Sequence, residues 1–488
     1  MSSERFSVGR KSSVVLNLGS HITIQLALAQ RKYMQQSLLK HLLAALSVSL
    51  LLSIAVNAQS KKNTNKSEDV NQYLMLQKLA SADSLRLVDI YKDLHQHPEL
   101  AFTETRTAAI VAKELQALGY EVFTGIGKTG VAAVLHNGDG PTVMYRSDMD
   151  GLPVKETTDL PYTSKATTKK EDGTIVPLMH ACGHDAHVTW LIGIAKMMVA
   201  IKEKWHGTLV FVAQPAEEVI GGADAMVKDK LYDKVPLPDY LFGMHTAPYA
   251  VGYIDNAAGY RMAGSTGMEV TFHGVGGHGS APHLAKDPVI MAATAILDYQ
   301  SIVSRSVSAL NPHVITVGSV DAGTVANVIP DKAILKITTR WYDAKDRDIM
   351  TNGINRVDSG IALMNNLPKD LYPTTKMYRS VYPVKNDTAM VDKLNKAFGE
   401  KLPVVKNLIG KPPVMGSEDF PLLIINSKKN PVYDFIHVGT ANAEVCAKYS
   451  KEGIYYPYSN HNPNFAVDLS AIPFGTILGT TALLELFR

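Results

Sequence analysis

Four short apolar runs recur through the middle of the chain: Val131 to Leu135, Thr142 to Arg146, Thr208 to Gln214 and Tyr240 to His245. Helix-like stretches such as Ala186 to Lys204 separate them. Runs this short have the length of strands, and strands alternating with helices assemble into a parallel sheet covered by helices. The expected fold class is α/β, with a mixed, largely parallel central sheet flanked by helices. Amphipathic helices are expected ahead of it, at about Ser81 to His95 and Glu104 to Leu118, the second closed by Gly119.

From about Ser265 the pattern changes. Met268 to His273, His313 to Val320 and Lys332 to Thr339 read as strands, with helices near Pro288 to Ser304 and Asp346 to Met364. Two helices among strands in this order predict a small ferredoxin-like α+β sandwich inserted into the first domain. Helix, strand and a final helix from Asp468 to Phe487 then complete the first sheet. The expected division is 1–58 as a signal peptide region, 59–74 as a flexible tether, 75–264 and 376–488 as the two parts of the main domain, and 265–375 as the insertion.

The first boundary rests on Leu42 to Val56, LLAALSVSLLLSIAV, which follows Arg31, Lys32 and Lys40 and precedes Asn57-Ala58-Gln59. A basic region, an apolar region too short to span a bilayer comfortably, and small residues form a signal peptide cut after Ala58, so export to a periplasm or the medium is expected. A retained membrane anchor is the alternative. The long polar stretch in front makes Met34 an alternative start. Gln59 to Val70 is polar and reads as tether. The formal net charge of +3 is small for 488 residues and much of the excess precedes residue 70, which argues against a nucleic-acid surface.

The chemistry concentrates in four places. MHACGHDAH, Met179 to His187, sets Cys182 and His184 two apart in a glycine-containing turn before a helix. A thiolate and an imidazole there can converge on one cation, and zinc accepts both; the plainer alternative is a histidine that only caps the helix. A disulfide from Cys182 to Cys446, the second of two cysteines, is not expected, because Cys182 sits in this metal-ligand setting. QPAEE, Gln214 to Glu218, ends a strand. Neighbouring residues on an extended segment point in different directions, so one glutamate can bind metal while the other moves protons, unless the pair is merely a solvated turn. His245 ends another strand in GMHTAP, and His461 lies in SNHNPNF before the last helix. Ligand sites of open α/β sheets lie beyond the carboxyl ends of strands, where these groups fall.

RSDMDGLP (Arg146 to Pro153), MHACGHDAH, Glu217-Glu218, MHTAP, GGHGSAPH, ANVIP and HNPNF occur in an order that resembles the dinuclear-metal peptidase and amidohydrolase superfamily. The branch it is similar to contains hippurate hydrolase, N-acyl-amino-acid amidohydrolases and auxin-conjugate hydrolases. The resemblance implies two divalent metal ions per chain, zinc or manganese, held by Cys182, His184, Glu218, His245 and His461, with the Cys182 thiolate bridging. A thiolate favours zinc. Asp148-Met149-Asp150 stands where the wider superfamily has a His-x-Asp motif, and both aspartates are read as groups that orient histidines.

The resemblance further implies cleavage of the amide of N-acyl amino acids by water made acidic between two cations, with Glu217 as general base and then acid. His278, in the inserted lid and dimerisation domain, would reach the active site of a partner subunit and stabilise an oxyanion. Asn327 and Arg340 would hold the substrate's free carboxylate. A homodimer acting on a small N-acyl amino acid or peptide, with no nucleic acid, is therefore expected. A dipeptidase or carboxypeptidase is the alternative enzyme, and a non-catalytic metal-containing binding protein the alternative of another class. Structural zinc sites take four ligands, whereas five candidates plus Glu217 gather here. His95 and His97 are read as ending the first helix, His437 as lying in a strand, and Ser417 as capping a helix, with the role of Glu418 open.

Overall fold

The computed structural model describes residues 71–488 apart from 171, 408–410, 426 and 454–456, so the signal-peptide expectation lies outside the described residues. Helix α1 covers 71–96, including 71–74, which the sequence assigned to the tether. There follow α2 (Thr105–Ala117), β1 (Glu121–Ile126), β2 (Gly130–Asn137), β3 (Thr142–Asp148), a small hairpin of β4 (Thr167–Lys169) and β5 (Ile175–Pro177), α3 (His184–Ala200), β6 (Gly207–Gln214), α4 (Gly222–Lys228), α5 (Leu231–Lys234), β7 (Tyr240–Ala250) and β8 (Tyr253–Asp255). The chain then makes β9 (Gly259–Met262), β10 (Gly264–His273), β11 (Gly277–His278), α6 (Pro288–Arg305), β12 (Val314–Ala322), β13 (Val328–Ile329), β14 (Lys332–Trp341), α7 (Ala344–Met364) and β15 (Thr374–Val381). It ends with β16 (Val384–Asn386), α8 (Thr388–Lys401), β17 (Lys406–Asn407), β18 (Val432–Ala441), α9 (Ala443–Lys451) and α10 (Ala471–Leu486).

The main sheet has the order β1-β2-β6-β3-β7-β18-β8-β17. Its centre, β6-β3-β7-β18, is parallel, and β1 and β2 join one side antiparallel. Burial explains why these strands are continuously apolar. Val143 and Tyr145 of β3 join one core with α3 and α10, while Met144 between them joins a second core on the opposite face. A strand covered on both faces needs no polar alternation. From β3 the chain crosses through α3 to β6 on one side, and from β6 it crosses through α4 and α5 to β7 on the other side of β3. This reversal opens a crevice at the carboxyl end of β3.

Helix α3 is wedged between sheet and helices, and 14 of its 17 residues are buried, which accounts for its weak amphipathicity. Helix α10 crosses it closely at Gly475, where a Cβ would stand 2.3 Å from the Trp190 ring. This packing pins the helix whose first residue is His184. The second sheet, β12-β14-β10-β15, is antiparallel throughout, with α6 and α7 on one face over a separate core. In chain order it is strand-helix-strand-strand-helix-strand, the ferredoxin-like plan. The expected end of the insertion at 375 cuts through β15: Thr374–Val381 pairs with β10 and belongs to this sheet. Its sequence, TTKMYRSV, is largely exposed and carries no apolar alternation to mark it as a strand.

Candidate metal centre and cleft

Strand ends and one helix start meet at the crevice. β3 stops at Asp148 with Asp150 just beyond, β6 stops at Gln214 before the turn bearing Glu217 and Glu218, β7 carries His245, and α3 begins at His184. The turn between Cys182 and His184 requires Gly183: its φ is 81°, and a Cβ there would lie 2.7 Å from Thr246 Oγ1 of β7. Asp150 brackets the glutamates, one carboxylate oxygen accepting the Glu217 backbone N–H and the other that of Glu218, each at 3.0 Å. His461 has a left-handed backbone, φ 71°, and is tied in by its N–H donating to the Ala181 carbonyl at 2.7 Å.

Cys182 Sγ lies 3.5 Å from His245 Nε2. His245 Nδ1 faces the Thr246 carbonyl at 2.7 Å, which can only accept, so Nδ1 carries a proton and Nε2 is the nitrogen turned to the sulfur. Burial and Glu218 oppose ionisation of Cys182, but the imidazoles of His245 and His184 outweigh them and bring its thiol down to about 6. Glu218 directs one oxygen to within 3.3 Å of His461 Nε2, and the other lies 3.8 Å from His184 Nε2. Glu217 Oε2 is 3.9 Å from the same His184 nitrogen. Burial, Glu418 and Glu218 push the Glu217 carboxyl well above the usual carboxylate range.

His184 Nδ1 lies 3.3 Å from Asp150 Oδ1, but buried His184 Nε2 and Glu218 Oε1 have no hydrogen-bond partner. Buried polar atoms of this kind are rarely left unpaired, and a cation between imidazole and carboxylate would satisfy both. The donor atoms of Cys182, Glu218 and His461 lie within 4.8 Å of one another, as do those of His184, Glu217 and Glu218. Four of the five residues read as ligands, Cys182, His184, Glu218 and His461, fall in these two sets, which share Glu218; the fifth, His245, groups with His184, His187 and Asp148. A donor set of thiolate, imidazole and carboxylate suits a divalent cation.

His187 also sits in this cluster. Its Nε2 accepts the Thr246 N–H at 2.8 Å, so its proton is on Nδ1 and is donated to Asp148 at 2.5 Å. With both nitrogens engaged, it props β7 and is no ligand. Asp148 in turn takes Arg146 Nη1 at 2.7 Å, and buried Arg146 also reaches Glu418 at 2.7 Å, Asp419 at 3.3 Å and the Gln214 side-chain oxygen Oε1 at 2.9 Å. This network escaped the sequence reading, although Arg146 at the end of an apolar strand is a charge that must find partners if buried.

Two sequence expectations are corrected here, and one open role is filled. His95 does not merely end a helix: it is buried within α1, with Nδ1 2.6 Å from Asp185 and Nε2 3.2 Å from Glu156. Ser417 caps no helix: its hydroxyl donates to the Ala263 carbonyl at 2.8 Å and accepts from Arg340, while Asp419 precedes the short 3₁₀ turn Phe420–Leu423. Glu418, left open, pairs with Arg146 and lines the cleft.

The cleft, about 500 Å³, is lined by Cys182, Glu217, Glu218, His245 and His461 below, and by Arg340 from β14 of the second sheet. His278 and Asn327 do not line it. His278 lies on the small β11–β13 ladder and Asn327 just precedes it; the Gly279 N–H donates to the Asn327 carbonyl at 2.8 Å and exposed His278 Nδ1 accepts from Ser280. This chain's own cleft thus receives Arg340 of the proposed lid residues, not the other two.

Residues 144–458 match the model of peptidase family M20/M25/M40. Hippurate hydrolase of Campylobacter jejuni is 39% identical over 68% of this chain and 83% of its own length. Thermostable carboxypeptidase 2 of Saccharolobus solfataricus is 33% identical over 80% of this chain and 93% of its own. The solved Bacillus subtilis YxeP protein, described as a dinuclear metal binding peptidase from the M20 family, superposes with a TM-score of 0.66 at 27% identity, covering 83% of this chain and 98% of that one. On this likeness the chain belongs to peptidase family M20/M25/M40 and is a metal-dependent hydrolase of amide bonds.

Proposed function

We propose that the protein releases amino acids from N-acyl amino acids of the hippurate kind. The observation that carries the reading is Glu217: a buried carboxylate that lines the cleft, 3.9 Å from His184 Nε2 and next in sequence to Glu218 of the candidate metal-binding sets. Cys182, His184, Glu218, His245 and His461 would hold two divalent cations, zinc or manganese, which when bound supply the Lewis acidity that acidifies water and polarises a carbonyl. Glu217 accepts the attacking water's proton on a carboxylate oxygen and returns it to the departing nitrogen. Arg340 grips the substrate's free carboxylate with its planar fork. His278 and Asn327 serve the cleft of a second copy in a homodimer, the second sheet acting as lid. Sedimentation that gives a monomer at assay concentration would refute this last point. Export with cleavage after Ala58 is checked by the N-terminus of the mature protein.

The Glu217→Gln variant keeps shape and removes the base. With metal content matched to wild type, kcat should fall about 10²- to 10⁴-fold; near wild-type turnover would overturn the role. The likeness to a carboxypeptidase favours dipeptides as the second reading. Rates on N-benzoyl and N-acetyl amino acids against dipeptides, measured side by side, separate the two.

A further inference from the structure

Arg261, Arg340 and Arg379 all line the cleft. Arg261 is neutralised, its Nη2 lying 2.9 and 2.7 Å from the two oxygens of Asp255. The other two are not. Arg340 donates to the Ser417 hydroxyl. Arg379 Nη1 reaches the Val219 carbonyl at 3.5 Å, and its buried Nε makes no hydrogen bond. Among the described residues, neither Arg340 nor Arg379 forms an ion pair, in contrast to Arg261.

The strand register explains how they come together. Arg340 of β14 pairs with Ser265 of β10, and Arg379 of β15 pairs with Gly267 of β10. Ser265 and Gly267 are two apart and share a face, and cross-strand partners point the same way. Both arginines thus reach the cleft from strands flanking β10, Arg379 beside the bulge that follows Gly267. Burial and the neighbouring Arg379 charge together pull the Arg340 pKa down. One carboxylate is satisfied by one guanidinium fork. A second unpaired fork calls for a second acidic group.

We infer that Arg379 reads an acidic side chain, so that the preferred substrates are N-acyl derivatives of glutamate or aspartate. The inference rests on the N-acyl-amino-acid reading of the cleft and extends it. Its test is the ratio of kcat/KM for N-acetyl-L-glutamate to that for its neutral isostere N-acetyl-L-glutamine, measured on metal-loaded wild type, Arg379→Gln and Arg379→Lys. Wild type should favour the acid by about tenfold or more, as a charge-assisted pair is worth. Arg379→Gln should bring the ratio near one, chiefly through KM, and Arg379→Lys should restore part of it. Calorimetric titration with the products L-glutamate and L-glutamine should give the same ordering without turnover.

A wild-type ratio of one or below overturns the inference. So does an unchanged ratio in Arg379→Gln, since equal losses on both substrates would mean that the two arginines clamp a single carboxylate. Hydrolysis of neutral N-acyl amino acids without acidic preference would sink this inference and leave the amidohydrolase reading standing, whereas no hydrolysis of any N-acyl amino acid would sink both.

Discussion

Asp150 offers the sharpest test of how the site is held. Its carboxyl is 1% exposed and accepts two backbone N–H groups, from Glu217 and Glu218, at 3.0 Å each, while Oδ1 lies 3.3 Å from His184 Nδ1. A hydrogen bond to a charged group contributes about 1.5–3 kcal/mol, so Asp150→Ala forfeits about 3–6 kcal/mol locally. That is a large share of the roughly 5–15 kcal/mol by which a domain is stable, and the turn bearing both glutamates would relax rather than leave two N–H groups unpaired. A shift of about 1 Å in a reacting group can cost about 10² in rate. Asp150→Asn is the informative partner. Its oxygen can accept one N–H, but its amide nitrogen would face the other donor, so about half of the stability loss is expected. The assays are urea unfolding, bound metal per chain, and kcat on an N-acyl amino acid. Expected for Asp150→Ala are unfolding at lower urea, weakened metal retention and a fall in kcat of about a hundredfold or more. If Asp150→Asn binds metal and turns over within threefold of wild type, Asp150 does not set the position of the glutamates.

Burial holds the Asp358 carboxyl up at about 7, from an ordinary 3.8, against a hydrogen bond from Tyr299 that pulls it down. A raised folded-state pKa means stability is present at low pH and lost as pH climbs from about 4 to about 7, by at most about 4 kcal/mol. Asp358→Asn should flatten that part of a urea-unfolding series between pH 5 and 8, with the remaining slope from Asp434, which burial also raises to about 7; an unaltered slope would refute it. Gly183→Ala would drive a methyl against Thr246 and strain a φ of 81°, so metal affinity should fall with far-UV dichroism retained, and wild-type metal titration would count against the turn's role. Arg146→Met would leave Asp148, Glu418 and Asp419 without their counter-charge and should cost about 3–5 kcal/mol, partly recovered by adding Asp419→Asn; additive losses would show that the three acids do not share that arginine.

What the sequence could determine by itself was local. A thiol and an imidazole two residues apart, or adjacent glutamates after a strand, announce themselves because the covalent chain already holds them together. The α/β alternation was visible for a similar reason, since strands buried on both faces must be apolar throughout. Tertiary structure decided between His184 and His187: His187 Nε2 is engaged by a backbone N–H from Thr246, while His184 Nε2 is left facing Glu217 and Glu218. It alone joined Arg146 to Glu418 across 272 positions, buried His95 against Asp185 and Glu156, and carried Arg379, on a strand with no apolar signature, beside Arg340. Hydrogen bonds and ion pairs are satisfied in space, and a sequence records the donors and acceptors without recording which of them meet.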